Sequence, residues 1–155
     1  KGSVMDEIVT KYWNSYLETL DSKPDDPDVE AGIAGNQEIA DKLLSLYIEG
    51  TKTAGSGLVK DYELAGDPLP KVGNYWIILN SKGEPGCIVK TIKVEQYKFD
   101  EVPEEVAIAE GEGDLSLDYW QKAHREFFSP YLADWGIEDL DQEMVVTEFY
   151  EVVYK

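Results

Sequence analysis

The sequence has very few of the residues on which several common kinds of protein depend. Its 155 residues include one cysteine and one histidine, and Arg125 is its single arginine. Cys87 has no partner for an internal disulfide, which favours a buried thiol in a reducing, cytoplasmic compartment. Without further arginines, the chain lacks the bidentate contacts that read guanine and hold phosphates. These shortages argue against a disulfide-stabilised secreted domain and against a sequence-specific binder of duplex DNA.

Long apolar runs, internal repeats and low-complexity linkers are missing as well. The start has no charged segment followed by an apolar one, so neither membrane insertion nor secretion is expected. We expect residues 1–4, which precede Met5, to be a remnant of the expression vector. Residues 5–155 are predicted to form one domain with an N-terminal helical extension over residues 5–35. A chain of this length buries roughly 70% of its unfolded surface in a single core.

Basic residues are scarce, and the charge is unevenly distributed. The chain has 14 basic and 32 acidic residues, a net charge of -18. Residues 50–98 hold seven lysines against five acids, whereas residues 100–114 hold seven acids and no base. So acidic a chain is repelled by phosphate backbones. The expected partner is therefore a short or single-stranded nucleic acid, a nucleoside or another small ligand in a local pocket, and neither duplex DNA nor a membrane.

The hydrophobic pattern predicts an α+β fold. Apolar residues at helical spacing predict helices over residues 4–20 and 36–49, the second ended by Gly50. Pro, Asp and Gly indicate a loop over residues 21–35. Runs of β-branched and aromatic residues predict strands over residues 74–79, 86–99 and 144–154. A hairpin turn at residues 80–83 joins the first two of these strands. Helices around antiparallel strands indicate a small, strongly curled β-sheet or barrel with flanking helices.

The segment furthest from ordinary composition is residues 107–128, AIAEGEGDLSLDYWQKAHREFF. Glu110, Glu112 and Asp114 alternate with glycines, which favours an irregular turn with directed carboxylates or a close backbone approach. Ser116 then caps a predicted helix whose apolar stripe contains His124. The turn is part of a site or simply solvated, and His124 is a site residue or a core histidine. A metal site is a further alternative, although the spacing matches no standard loop.

A second unusual segment is residues 50–57, GTKTAGSG. Lys52 lies among small residues where a helix gives way to a strand, so its side chain is a candidate for partial desolvation. Desolvation lowers the pKa of a lysine and makes it usable as a base or a phosphate contact. The alternative is an exposed strand lysine. A lysine and a glutamate brought together can serve a hydrolytic site.

These motifs together resemble the ASCH-domain family. The resemblance covers residues 36–154 and rests on Gly50-x-Lys52-Thr53-Ala54 and on the glycine-spaced carboxylates followed by the Trp-x-x-x-His helix. It implies a PUA-like β-barrel with flanking helices, no cofactor, and a role in binding or processing RNA. Some members are metal-independent hydrolases that cut single-stranded RNA or remove acyl groups from modified cytidine. Their motif lysine corresponds to Lys52, and their glutamate to Glu112 or its neighbour Glu110.

The chain departs from this family at a hydroxyl position. Members commonly have threonine three positions after the motif lysine, where this chain has Gly55. Thr53 and Ser56 are the available hydroxyls. In a regular strand Thr53 points to the face opposite Lys52, and Ser56 lies ~13 Å away at about 3.3 Å per residue. A bulge at Gly55 and Gly57 would bring Ser56 back toward the lysine.

Two functions of different class follow from these residues. In the first, Lys52 is a base or an electrostatic stabiliser, Ser56 or water attacks, and Glu112 moves the proton in hydrolysis of an RNA-derived substrate. In the second, the same pocket binds RNA or a nucleotide without turnover, and aromatic rings provide stacking surface. The substrate contacts predicted for the site are Thr53, Glu110, Tyr75 and Trp76.

Overall fold

The computed structural model describes residues 6–155, within which there are five α-helices and five strands. In chain order the elements are α1 (Glu7–Leu17), β1 (Val29–Ile33), α2 (Ala40–Glu49), β2 (Ala54–Leu58), α3 (Val59–Ala65), β3 (Tyr75–Leu79), β4 (Pro85–Lys98), α4 (Glu104–Glu110), α5 (Leu117–Phe128) and β5 (Met144–Tyr154). The strands form one sheet in the order β1-β3-β4-β5-β2. The predicted α+β class is confirmed. The segment interpreted as a vector remnant, residues 1–4, lies outside the described residues.

Most of the predicted elements form where local signals placed them. Asp6 caps α1 by accepting a hydrogen bond from the backbone N of Val9 at 2.9 Å. Gly50 ends α2 in the left-handed conformation, with φ 84°. The turn after β3 is closed by the bond from Asn80 N to Glu84 O, 2.8 Å. β5 has the predicted bounds. Gly50 and the turn after β3 therefore lie where they were predicted, whereas α1 and α2 are shorter than the predicted helices over residues 4–20 and 36–49.

The predicted loop over residues 21–35 is wrong at its end, because Val29–Ile33 forms β1. This strand pairs in parallel with β3, and Val29 lies opposite Tyr75. Its five residues include an alanine and a glycine and show no alternation of exposed and buried positions. The hydrogen bonds that define β1 come from a strand more than forty residues later, and a local pattern gives no sign of them.

The acidic segment is also more regular than predicted. Glu104–Glu110 forms α4, with Pro103 at the N-cap and two glutamates in the first turn, where the helix dipole favours negative charge. Gly111 ends this helix with φ 68°. Glu110 is therefore the last residue of a helix, and the irregular turn begins only at Gly111. Within that turn Gly113 and Leu115 have φ values of 61° and 67°.

The chain divides into two compact units, each with its own core. The first unit comprises residues up to 51, 72–92 and 150–155, and the second comprises residues 52–71 and 93–149. Aromatic and aliphatic residues fill the first, among them Trp13, Tyr47, Ile77 and Ile88. Phe99, Val106, Trp120 and Phe128 fill the second. The single domain expected over residues 5–155 stays a prediction. None of the helices within residues 6–155 combines the length and the apolarity needed to cross a membrane.

Candidate functional site

The site is built where the end of α4 meets the residues before β2, both in the second unit. The backbone N of Thr53 donates to the carbonyl oxygen of Ala109 at 2.7 Å, and its Oγ1 donates to the same oxygen at 3.3 Å. These bonds hold the last turn of α4 beside the chain that leads into β2. Lys52 and Glu110 are consequently brought together. The Thr53 hydroxyl, predicted as a substrate contact, is used in this attachment.

The Lys52 side chain is buried between two carboxylates. Its Nζ donates to Glu112 Oε2 at 2.9 Å, to Glu110 Oε1 at 3.2 Å and to the Glu110 carbonyl oxygen at 3.3 Å. The residue is 4% exposed and lies before β2, so the alternative of an exposed strand lysine is wrong. Contacts with two carboxylates stabilise an ammonium rather than a neutral amine. The arrangement therefore suits an electrostatic role better than that of a base.

Glu110 is the centre of this site, because donors surround both of its carboxylate oxygens. Lys52 Nζ and His124 Nε2 lie 3.2 and 3.5 Å from Oε1. Ser56 Oγ and Trp120 Nε1 donate to Oε2 at 2.6 and 2.7 Å. Glu110 is only 2% exposed. We call these five residues the Glu110 network. A buried carboxylate is tolerated when it is paired and hydrogen-bonded in this way.

The surroundings of Glu110 keep it ionised. Burial by itself would raise the pKa of this carboxyl, but the charge of Lys52, the interactions with His124 and the hydrogen bond from Ser56 outweigh burial and hold the pKa below its ordinary value. A carboxylate with so low a pKa is a weak base. Glu110 is also enclosed and pairs with Lys52 as a buried counter-ion, and its assignment as a substrate contact stays a prediction.

Ser56 is connected to the site through Glu110 and not through a bend in β2. A carboxylate only accepts hydrogen bonds, so the Ser56 hydroxyl donates to Glu110, and the Thr147 hydroxyl, 2.7 Å away, donates to Ser56. Ser56 lies opposite Thr147 in the pairing of β2 with β5, whose register is continuous from Ala54 to Leu58. The bulge predicted at Gly55 and Gly57 is therefore wrong. The long side chain of Lys52 reaches the same carboxylate instead.

Glu112 is the accessible acid of the site. Its side chain is 25% exposed, whereas that of Glu110 is 3% exposed. The difference arises from Gly111, whose left-handed conformation turns the chain out of α4. The structure thus brings Lys52 and Glu112 into contact, with Glu112 Oε2 as the outward partner. The two sequence-predicted residues share a site, and their roles stay predictions.

His124 and Trp120 join the site from α5. Their rings stack with centroids 4.0 Å apart and 19° between planes. His124 Nδ1 lies 2.9 Å from the Trp120 carbonyl oxygen, and because a carbonyl only accepts, Nδ1 carries a hydrogen. Trp120 lies in the core of the second unit, and the sequence analysis missed its indole N–H as a donor to Glu110. The signal available was the Trp-x-x-x-His spacing directly after the carboxylates.

A small cavity opens beside the network. Its accessible volume is about 10 Å³, roughly the space of one water molecule. It is lined by Ala107, Glu110, Glu112, Ser116, Tyr119, Trp120, Ala123 and His124. In this conformation the cavity is too small for a nucleoside.

The third carboxylate of the acidic segment serves the turn. Asp114 Oδ1 accepts from the backbone N of Ser116 at 2.9 Å, and these hydrogen bonds with Ser116 lower the pKa of Asp114. Ser116 in turn caps α5 by accepting from the backbone N of Tyr119 at 3.0 Å. Within residues 6–155, no group of three or more histidine, cysteine, aspartate or glutamate side chains is placed to hold a metal ion.

The predicted stacking residues are not part of this arrangement. Tyr75 is 7% exposed and packs in the first unit against Trp13 and Tyr16, with centroid distances of 5.1 and 6.0 Å. Trp76 packs against Tyr47 and Tyr150, at 5.6 and 5.7 Å. Because Tyr75 is buried in this core, its assignment as a base-stacking residue is corrected to core packing, whereas Trp76 is half-buried and its assignment stays a prediction.

Comparison with known proteins identifies the fold and the family. The ASCH domain family model matches residues 30–154. The crystal structure of an ASCH domain from Lactobacillus crispatus JV V101 is 30% identical, with 99% of each chain covered and a TM-score of 0.89. A protein from Enterococcus faecalis V583 is 32% identical over 96% of this chain and 89% of its own, with a TM-score of 0.83. An ASCH mutant protein from Zymomonas mobilis, 10% identical over 79% of this chain and 66% of its own, has a TM-score of 0.50 and shares the fold alone.

No curated protein matches the sequence significantly. The structural matches confirm the PUA-like fold, here a five-stranded curled half-barrel sheet with flanking helices. The chain belongs to the ASCH domain family, whose members generally bind RNA.

Proposed function

We propose that this protein hydrolyses an RNA-derived substrate, an acylated nucleoside or a short single-stranded RNA, at Lys52 and Glu112. The observation that carries the proposal is the 2.9 Å contact between Lys52 Nζ and Glu112 Oε2, in which the lysine is buried and the carboxylate is accessible. A cation fixed beside an accessible carboxylate provides both charge stabilisation and a proton acceptor. The RNA-binding character of the family supports the substrate class.

For an acylated exocyclic amine, the two residues divide the reaction between them. Glu112 accepts a proton from water as the water oxygen bonds to the acyl carbon, and the Lys52 ammonium stabilises the negative charge that develops. The carbon–nitrogen bond then breaks, and the nitrogen takes the proton from Glu112. The products are a carboxylic acid and the free amine. Ser56 is a positioning residue here, since its proton is directed at the weakly basic Glu110.

The charge around the cavity favours a nucleoside over a polynucleotide. Glu112 and the exposed Asp114 and Asp118 lie on the turn and the first turn of α5 next to the cavity. The net charge of -18 adds a long-range repulsion for phosphate. An uncharged nucleoside approaches this surface without that repulsion.

Binding without turnover is the second candidate, and the general RNA-binding character of the family favours it. In this case the same residues hold a nucleotide or short RNA, and affinity falls as salt rises.

Turnover by matched variants tests the proposal. Release of acetate from cytidine acetylated at its exocyclic amine, and cleavage of single-stranded RNA, are measured for the wild type, Glu112→Gln and Lys52→Met. We expect Glu112→Gln to lower kcat about 100-fold or more. Glu126→Gln, an exposed acid on α5, is the control and retains full activity. Circular dichroism verifies folding, because Lys52→Met leaves Glu110 without its cation.

Two results would contradict the proposal. If the wild type turns over neither substrate but binds one with strong salt dependence, the protein is a binding module. If turnover is present and unchanged in Glu112→Gln, the catalytic carboxylate lies elsewhere.

A further inference from the structure

The ring of Tyr119 lies over the accessible side of the site. Tyr119 lines the cavity together with Glu112 and His124, and 37% of its surface is exposed. The ring packs directly on Gly113, where a Cβ atom would come within 2.5 Å of Tyr119 Cδ1. Gly113 therefore meets two demands, a φ of 61° and a close approach by an aromatic ring. The ring of Tyr119 therefore forms part of the cavity wall.

The backbone that holds Tyr119 is fixed, whereas its ring is held only by contact. Ser116 Oγ accepts from the backbone N of Tyr119, and Asp114 accepts from the backbone N of Ser116. Leu115, between Asp114 and Ser116, has a φ of 67°, a conformation rarely adopted by residues other than glycine. Non-glycine residues in this region persist where the surrounding structure imposes them. Rotation about the side-chain bonds of Tyr119 is thus the simplest way to enlarge the cavity.

The surface offered to a ligand combines an aromatic face with acids. A planar nucleobase gains from stacking on a tyrosine ring, and this gain does not depend on phosphate contacts. The exposed Asp114 and Asp118 precede Tyr119 in the sequence and disfavour phosphate. Stacking is therefore the interaction by which this surface can hold the uncharged part of a nucleoside next to Glu112.

We propose that Tyr119 is the base-stacking residue of this site and that its ring moves off Gly113 to place a nucleobase over Glu112. The inference rests on the proposed function, which it deepens by naming the residue that binds the base. Tyr119 lines the cavity, whereas Tyr75 and Trp76 do not.

Cytidine, a product that is not turned over, is the binding probe, titrated against each protein and followed by NMR. Tyr119→Ala and Tyr119→Leu are expected to weaken its Kd about 5- to 150-fold, as the loss of one stacked base does. The leucine variant keeps apolar volume on Gly113 and separates stacking from folding. Tyr119→Phe keeps the ring and binds within about 2-fold of the wild type. Tyr131→Ala, which removes an exposed tyrosine stacked on Trp135, leaves the Kd unchanged.

A second test compares a planar base with a non-planar one. Uridine and 5,6-dihydrouridine carry the same polar groups, but only uridine is planar, so uridine is expected to bind more tightly to the wild type and equally to Tyr119→Ala. Equal Kd values for cytidine in the wild type and Tyr119→Ala overturn the inference, as does a wild type that binds none of these nucleosides. Weaker binding in Tyr119→Ala with no turnover by the wild type upholds the stacking residue and rejects the hydrolase.

Discussion

The two units of this protein have interiors of different kind. The first is filled by aromatic and aliphatic side chains such as Tyr16, Ile77 and Ile88. The second also buries a lysine and a glutamate, the two charged residues that are fully buried among residues 6–155. Replacing a buried ion pair with apolar residues is often neutral or stabilising. The charges of the second unit are therefore better explained by the site that they hold than by stability.

The effect of this site on the free energy of unfolding depends mainly on one residue, Glu110. Glu110 accepts hydrogen bonds from three side chains, so removal of its carboxylate leaves the buried Lys52 ammonium and the Ser56 and Trp120 donors without their acceptor. The first unit has no comparable position among its described residues. Substitutions in each unit measure how strongly the stability of the protein depends on buried polar groups in that unit.

The largest effect is expected for Glu110→Ala. Breaking a buried charge pair by removing one partner costs about 3–5 kcal/mol of the free energy of unfolding. Urea denaturation measures the loss, with Glu126→Ala, an exposed acid of the same unit, as a control that changes stability by less than about 0.5 kcal/mol. A loss below about 1 kcal/mol for Glu110→Ala would show that the network is not required for folding.

Ser56→Ala should have the next largest effect. The substitution removes a hydrogen bond to a charged group and leaves the buried Thr147 hydroxyl without an acceptor, a loss of about 1.5–3 kcal/mol. Ser22→Ala, at an exposed position, is the matched control. The same variant distinguishes two roles: kcat falls less than about 10-fold if Ser56 only positions Glu110, but catalysis is abolished if Ser56 is the nucleophile.

Acid should destabilise the second unit through Glu110. Because its pKa is lower in the folded protein than its ordinary value of 4.5, Glu110 stabilises the fold above about pH 4.5, and this contribution is lost as pH falls toward the folded pKa. One proton taken up on unfolding changes the free energy by about 1.4 kcal/mol per pH unit. Urea denaturation between about pH 4.5 and 3 should show a slope smaller by about this amount in Glu110→Gln than in the wild type, with no difference in slope above about pH 5. Equal slopes in the two proteins would contradict the prediction. Hydrogen bonds also lower the pKa values of Asp41 and Asp114, but these two residues contribute the same pH dependence of stability to both proteins.

The fold could be predicted from the sequence wherever boundaries are set by near neighbours. Ser116 caps α5 and Gly50 ends α2 because these positions are decided within one helical turn. β1 was missed since its hydrogen bonds come from β3, far along the chain. Tyr75 and Trp76 were predicted to contact a substrate because the sequence of a strand does not show whether an aromatic side chain is packed against its neighbours or is accessible to a ligand.

The sequence predicted that Lys52 and Glu112 belong together, but it did not predict the hydrogen bonds around Glu110. Lys52 and Glu112 were found through their motifs, and the structure places them in contact. The central position of Glu110 depends on bonds to Trp120, ten residues later, and to Ser56, more than fifty residues earlier. The alternation of carboxylates and glycines does not reveal that α4 continues to Glu110, so buried and accessible acids look alike in the sequence.

The smallest change in the free energy of unfolding is expected in the first unit, where a substitution should stabilise the protein rather than destabilise it. Among residues 6–155, Tyr12 Oη is the one buried side-chain oxygen or nitrogen that has no hydrogen-bond partner. Burial raises the pKa of Tyr12 to about 12, and the nearby Cys87 and Tyr154 add to this effect. Tyr12→Phe removes an unsatisfied group and keeps the ring on Tyr154, so stability should stay equal or rise by up to about 1 kcal/mol.

Tyr16→Phe is the control for this prediction, because the Tyr16 hydroxyl is hydrogen-bonded to Tyr75, and its loss should destabilise by about 1 kcal/mol. Thermal and urea denaturation of both variants measure the difference. If Tyr12→Phe destabilises as much as Tyr16→Phe, the Tyr12 hydroxyl has a partner beyond residues 6–155, and the first unit also depends on a buried polar contact. If it does not, buried polar groups stabilise this protein only where, as around Glu110, every donor has its acceptor.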